Sequence, residues 1–114
     1  MANALVLDVY RASATFPPNE QFGLQSQMRR AAVSVASNIV EGSGRLSTRE
    51  YVHFLNIASG SATENCYLSA LAGDLGILNR LEVDRLVSGY SELSASLRAM
   101  IEKLRGAPDF RARA

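Results

Sequence analysis

Residues 20–41 read EQFGLQSQMRRAAVSVASNIVE and decide the fold. With 100° between successive residues of a helix, one group of apolar side chains shares a face: Leu24, Met28, Ala31, Val35 and Ile39. A second group extends that face: Ala32, Val33, Ala36 and Val40. The apolar sector then spans about 200°, whereas a bundle helix needs only about 100°. The segment therefore predicts a helix that packs on its own bundle and also on a second copy of the chain.

The rest of the chain predicts three further helices. Residues from Leu5 to Phe16 form a short amphipathic segment that ends at two prolines. Ser47 and Glu50 form a capping box at the start of a long segment, and Asn79 with Glu82 forms another. The last helix carries a narrow apolar stripe: Val83, Leu86, Tyr90, Leu93, Leu97, Met100 and Leu104.

Four helices joined by short loops predict an all-α fold, an up-and-down antiparallel four-helix bundle over residues 1–105. Residues 106–114 predict a flexible basic tail. Within the third helix, residues 58–62 read ASGSA. Five small residues in a helix interior predict a close approach of another helix backbone, since glycine there costs about 1 kcal/mol against alanine.

Composition narrows the functional classes. The chain has 114 residues, a formal net charge of +1, one cysteine and one histidine. An internal disulfide is therefore excluded, and Cys66 is expected to be a small buried side chain in a reducing compartment. We expect no signal peptide, no membrane span, no cofactor and no small-molecule substrate, which favours a cytoplasmic protein.

A set of polar residues on the second and third helices predicts a structural feature, here called the polar seam: Gln27, Arg30, Ser34, Asn38, Glu41, Ser61 and Glu64. We expect a buried hydrogen-bonded network in which Arg30 pairs with Glu64 or Glu41 and fixes the register of the helices. A ligand pocket or catalytic site is the alternative, and solvated surface is the third.

Catalytic and metal chemistry find little support. Glu50 and His53 have the Glu-x-x-His spacing of di-iron bundles, but such sites need two of these motifs and the chain has one histidine. The segment from Gly42 to Arg45 lacks the Lys-Ser/Thr ending of a phosphate-binding loop and is interpreted as a helix end followed by a turn. Cys-His, Ser-His-Asp and paired-carboxylate arrangements are not evident. We therefore expect no enzyme and no metal.

Three arginines are the candidates for nucleic-acid binding: Arg29, Arg45 and Arg49. Repeated around an oligomer, they predict a basic rim that contacts phosphates. The competing interpretation is solvated surface, because the acidic residues of a nearly neutral chain can offset the same face.

The pattern LxSQxRRAAxSxxSNxxEG over residues 24–42, followed by FLxxAxGSxxE over 54–64, resembles a known family. It is similar to the bacterial four-helix-bundle proteins first noticed as products of intervening sequences within ribosomal RNA genes. The resemblance covers about Leu5 to Leu78, and the first helix is shortened at its start relative to the family pattern.

This resemblance implies a four-helix bundle, usually a homopentamer, without assigned enzymatic activity. A related branch comprises accessory proteins of diversity-generating retroelements, pentameric barrels that bind a reverse transcriptase and RNA through basic surfaces. Three functions follow as expectations: an oligomeric scaffold that binds RNA, an adaptor for a protein partner such as a reverse transcriptase, and an uncharacterised enzyme that uses the polar seam.

Overall fold

The computed structural model describes residues 1–21 and 23–106. It contains four α-helices: α1 (Ala2–Ser13), α2 (Leu24–Ser43), α3 (Thr48–Asp74) and α4 (Arg80–Arg105). A single 3₁₀ turn, Pro18–Glu20, lies between α1 and α2. Within the described ranges there is no β-strand, so the predicted all-α fold is confirmed. The predicted flexible tail lies outside the described residues beyond Gly106.

Local sequence explains where the long helices begin. The Ser47 hydroxyl accepts a hydrogen bond from the Glu50 amide at 3.0 Å, and the Asn79 side chain accepts one from the Glu82 amide at 2.8 Å. Both predicted caps are therefore confirmed, and each satisfies an amide that has no partner within the helix.

The start of α2 differs from the expectation, since the helix begins at Leu24 and not at Glu20. The backbone of Gly23 is not helical, and the Glu20 carboxylate instead accepts a hydrogen bond from the Leu24 amide at 3.3 Å. Glu20 thus lies before α2, and its carboxylate satisfies a backbone amide at the start of that helix.

The four helices run alternately up and down. α2 packs on α1 and α3, and α4 packs on α3 and α1. The most deeply buried large side chains of the core come from all four helices: Val9, Met28, Val35, Leu55, Leu86 and Tyr90. The described region measures 51 × 21 × 18 Å, and the twelve residues of α1 cover only about 18 Å of that length.

Small residues set the closest helix contacts. A Cβ on Gly42 would lie 2.9 Å from the Cβ of Phe54, so α2 and α3 meet there only because Gly42 has no side chain. In the small-residue run of α3, Ala58 and Ala62 are fully buried, as predicted. Gly60 is different, because no atom of the described residues lies within 4 Å of a Cβ placed on it.

None of the helices in residues 1–21 and 23–106 is long and apolar enough to cross a membrane.

Candidate functional site

Arg29 links α1 to α2. Its guanidinium donates hydrogen bonds to the Ser13 hydroxyl at 2.9 Å and to the Tyr10 carbonyl at 3.2 Å, and it lies 4.4 Å from the centre of the Tyr10 ring. The cation thereby satisfies acceptors at the carboxyl end of α1, where positive charge is favourable. Arg29 therefore has a structural role in the subunit.

Arg45 and Arg49 lie at the other end of the bundle. Arg45 lies just beyond the end of α2, and the helix from Arg29 to Ser43 alone covers roughly 21 Å along its axis. Arg45 forms an ion pair with Glu41 and lies 4.7 Å from the centre of the Phe54 ring. Arg49 is exposed. The three arginines thus do not lie together within one subunit, and a rim that they form around an oligomer stays a prediction.

The polar seam is only partly assembled. Gln27, Arg30, Ser34, Ser61 and Glu64 line one surface groove between α2 and α3, with a volume of about 550 Å³. Its centre is a hydrogen bond of 2.8 Å between the hydroxyls of Ser34 and Ser61. This contact joins the two helices at the expected position.

The outer members of the seam depart from the expectation. The Asn38 amide donates to the Ser34 carbonyl at 2.8 Å and to the Ser34 hydroxyl at 3.1 Å, so it joins the network from its own helix, whereas Glu41 pairs with Arg45 outside it. Arg30 and Glu64 are both exposed, and no ion pair between them occurs in the described structure. The predicted buried pair is therefore wrong for the isolated subunit. Long charged side chains that can reach water avoid the desolvation cost of such a pair.

A buried polar cluster, formed by Asn65, Ser69 and Tyr90, escaped the sequence analysis. All three side chains are fully buried, and the Asn65 amide donates to the Met28 carbonyl at 3.1 Å. Among the described residues, Asn65 Oδ1, Ser69 Oγ and the Tyr90 hydroxyl find no hydrogen-bond partner. Burial raises the pKa of Tyr90 to about 12, an effect that the nearby Asn65 side chain partly offsets.

Tyr90→Phe is expected to reduce the loss of stability at high pH. The ordinary tyrosine pKa is 10.0, so the unfolded chain loses this proton before the folded protein does. The contribution of Tyr90 to the free energy of unfolding is therefore fully present below about pH 10. Above that pH it falls by about 1.4 kcal/mol per pH unit, up to about pH 12. Urea unfolding near pH 9 and pH 11 measures the difference. Tyr67→Phe, at an exposed position, is the control, and an equal alkaline loss in Tyr90→Phe and wild type contradicts this assignment.

Metal and thiol chemistry have little basis in the described ranges. Across residues 1–21 and 23–106 there is no group of three or more His, Cys, Asp and Glu side chains that is able to hold a metal ion. Cys66 is a free, half-buried thiol whose sulfur lies 3.5 Å from the Ser91 hydroxyl and 3.7 Å from the Val87 carbonyl. It lies in the contact between α3 and α4, less deeply buried than the sequence suggested.

An exposed apolar surface runs along α2. Val33 and Val40 are 44% and 70% exposed, although both belong to the wide apolar sector of this helix. Beside Val40 lies an apolar groove of about 640 Å³, bounded by Met1 of α1, Ile39 of α2 and Met100 of α4. The groove lies where α1 begins, because α1 is too short to cover α2 and α4 further along the bundle.

Comparisons with known proteins agree with this architecture. The model of a family described as 23S rRNA-intervening sequence protein matches residues 1–99. Among solved structures, the chain resembles a protein of unknown function from the S23 ribosomal protein family of Bacteroides thetaiotaomicron, with a TM-score of 0.74 and 22% identity over 84% of this chain and 87% of that one. At this identity the likeness concerns the fold. No curated protein matches the chain.

Proposed function

Because the chain belongs to the 23S rRNA-intervening sequence protein family, we propose that it is a non-enzymatic, homo-oligomeric scaffold that binds RNA. In this proposal the subunits close into a ring, of five copies as the sequence resemblance implies. The RNA contacts the end of the bundle that carries Arg45 and Arg49. The exposed apolar surface of α2 is the observation that carries the assembly, and the arginines at the end of the bundle support RNA as the ligand.

The assembly is supported by the position of the apolar surface. Val40 is more exposed than most surface apolar side chains of this chain, and it adjoins the apolar groove at Met1 and Met100. Isolated exposed valines need no explanation, but an apolar surface that continues into an apolar groove is typical of a binding face. A neighbouring subunit that covers Val33 and Val40 removes both from water.

RNA binding is supported by the charges at the end of the bundle where α2 ends and α3 begins. The loop between α2 and α3 and the first turn of α3 carry Arg45 and Arg49 close together in sequence. A ring repeats this small patch once per subunit, and an RNA chain that contacts several copies gains affinity through effective concentration. A chain with a net charge of +1 therefore needs only a local positive end, and no overall basic charge, to bind RNA.

The first test is a salt titration with the purified oligomer and a fluorescent single-stranded RNA. We expect binding at about 0.1 M salt that weakens steeply as the salt concentration rises, because cations on the protein replace counterions on the phosphates. Arg45→Ala combined with Arg49→Ala should weaken binding and reduce the salt dependence, while light scattering gives an unchanged mass. Absence of wild-type binding at about 0.1 M salt overturns the RNA proposal and leaves a protein partner as the alternative.

A further inference from the structure

A second groove lies at the same end of the bundle, between the first turns of α3 and the last turn of α4. This basic groove has a volume of about 450 Å³. Its polar lining consists of Thr48, Arg49, His53 and Asn56 on α3 and Arg105 on α4. None of the residues that line it is acidic. The groove therefore gathers two guanidinium groups, an imidazole, an amide and a hydroxyl around one opening.

The two arginines of the basic groove differ from the other arginines near the site. Arg45 is paired with Glu41, and Arg29 is held by Ser13 and Tyr10. For Arg49 and Arg105, the described part of the chain provides no ion pair, hydrogen bond or ring contact. Within residues 1–21 and 23–106, both cations are therefore available to a ligand.

The position of Arg49 is unfavourable for folding. It lies in the first turn of α3, where the helix dipole disfavours positive charge, and it shares the groove with Arg105. Arg105 by itself has a structural explanation, since a cation in the last turn of α4 stabilises the helix end. Arg49 has no such structural explanation. A charge that opposes local stability is typical of a functional site.

We propose that the basic groove binds one phosphate group of the RNA backbone, an inference that rests on the RNA binding proposed above. Arg49 and Arg105 approach the phosphate from opposite helices, and a guanidinium matches phosphate oxygens in a two-pronged geometry. Asn56 and Thr48 supply neutral donors on the same wall. Arg45 lies outside the groove, and its charge is already paired with that of Glu41.

Fluorescence anisotropy with a short single-stranded RNA tests this assignment on the full-length oligomer. Arg49→Ala combined with Arg105→Ala should weaken binding by about tenfold or more and lower the salt slope by about one unit, because the two arginines hold the same phosphate. Arg45→Ala alone should weaken binding less than Arg105→Ala alone. Because Arg49 opposes the helix dipole, Arg49→Ala should leave the melting temperature unchanged or raise it.

The matched control removes the same charge elsewhere. Arg85 and Arg98 are exposed on α4 and lie outside the basic groove, so Arg85→Ala with Arg98→Ala should bind RNA nearly as the wild type does. Equal losses in the two double variants overturn the inference, as does wild-type affinity in the groove variant or a lowered melting temperature in Arg49→Ala. In these cases RNA binding itself still stands. Only a wild-type protein without RNA affinity removes both proposals.

In a second arm, millimolar inorganic phosphate distinguishes a general anion site from an RNA site. Phosphate should shift the NMR signals of the His53 ring in the wild type, because the ring lines the groove. The same addition should have little effect on Arg49→Ala combined with Arg105→Ala. Equal shifts in the two proteins overturn the assignment of the groove as a phosphate site.

Discussion

Val40→Glu is expected to convert the assembly to subunits of 12.3 kDa, the mass of one chain. Val40 is 70% exposed in the subunit, so the change itself should leave the bundle folded. In the proposed ring the same position is covered by a neighbour, and an unpaired carboxylate buried there costs several kcal/mol at every interface. Light scattering at micromolar concentration measures the mass, and circular dichroism checks that the helices remain.

Leu81→Glu is the matched control, because Leu81 is 69% exposed and lies at the start of α4, away from the apolar groove. It should keep the wild-type mass. Val33→Glu, in the same apolar sector as Val40, should dissociate the assembly as well. A wild-type protein that is already monomeric contradicts the assembly, and a Val40→Glu variant with wild-type mass contradicts the interface.

The helices were predictable because their signals are local. The N-caps at Ser47 and Asn79 need only residues three positions apart, and in both the side chain accepts from the amide three residues further on. The stripe of α4 needs only the period of the helix, and its buried members Leu86, Tyr90 and Leu93 follow it. Four such segments with short connections leave few arrangements other than an antiparallel bundle.

Side-chain partners were harder to predict. The helix period gives the face on which a residue lies, but it does not give the residue of the neighbouring helix that it contacts. Arg29 and Arg45 were grouped by charge, but α2 separates them by its length. Arg30 and Glu64 do line one groove, yet each remains in water, because proximity on two helices does not determine whether a pair is buried. No sequence pattern placed Arg105 beside Arg49 in one groove.

The position of Asn65 in the sequence indicates a buried polar side chain, which the sequence analysis did not identify. It lies three residues after Ala62 and three before Leu68, within the apolar spacing of α3, and an asparagine at such a position must satisfy its amide inside the core. Its partner is the backbone carbonyl of Met28, which no side-chain pattern reveals. The same holds for the buried hydroxyl of Tyr90, which the apolar stripe of α4 treats as a hydrophobic residue.

Asn65→Asp is expected to destabilise the bundle by about 3 kcal/mol or more at neutral pH. The substitution preserves the shape of the side chain but replaces the amide that donates to the Met28 carbonyl with a carboxylate oxygen. A fully buried charge then faces a carbonyl oxygen. The melting temperature should fall by about 10 °C or more.

Asn56→Asp provides the control, because the same change at an exposed position of α3 should alter stability by less than about 0.5 kcal/mol. The pH dependence gives a second criterion. Burial raises the pKa of the introduced carboxyl above its ordinary value of about 3.9, so the lost stability returns as the pH falls towards that value. Unfolding of both variants at about pH 7 and pH 4 measures this. If Asn65→Asp is no less stable than Asn56→Asp at neutral pH, residue 65 is not buried in the folded protein.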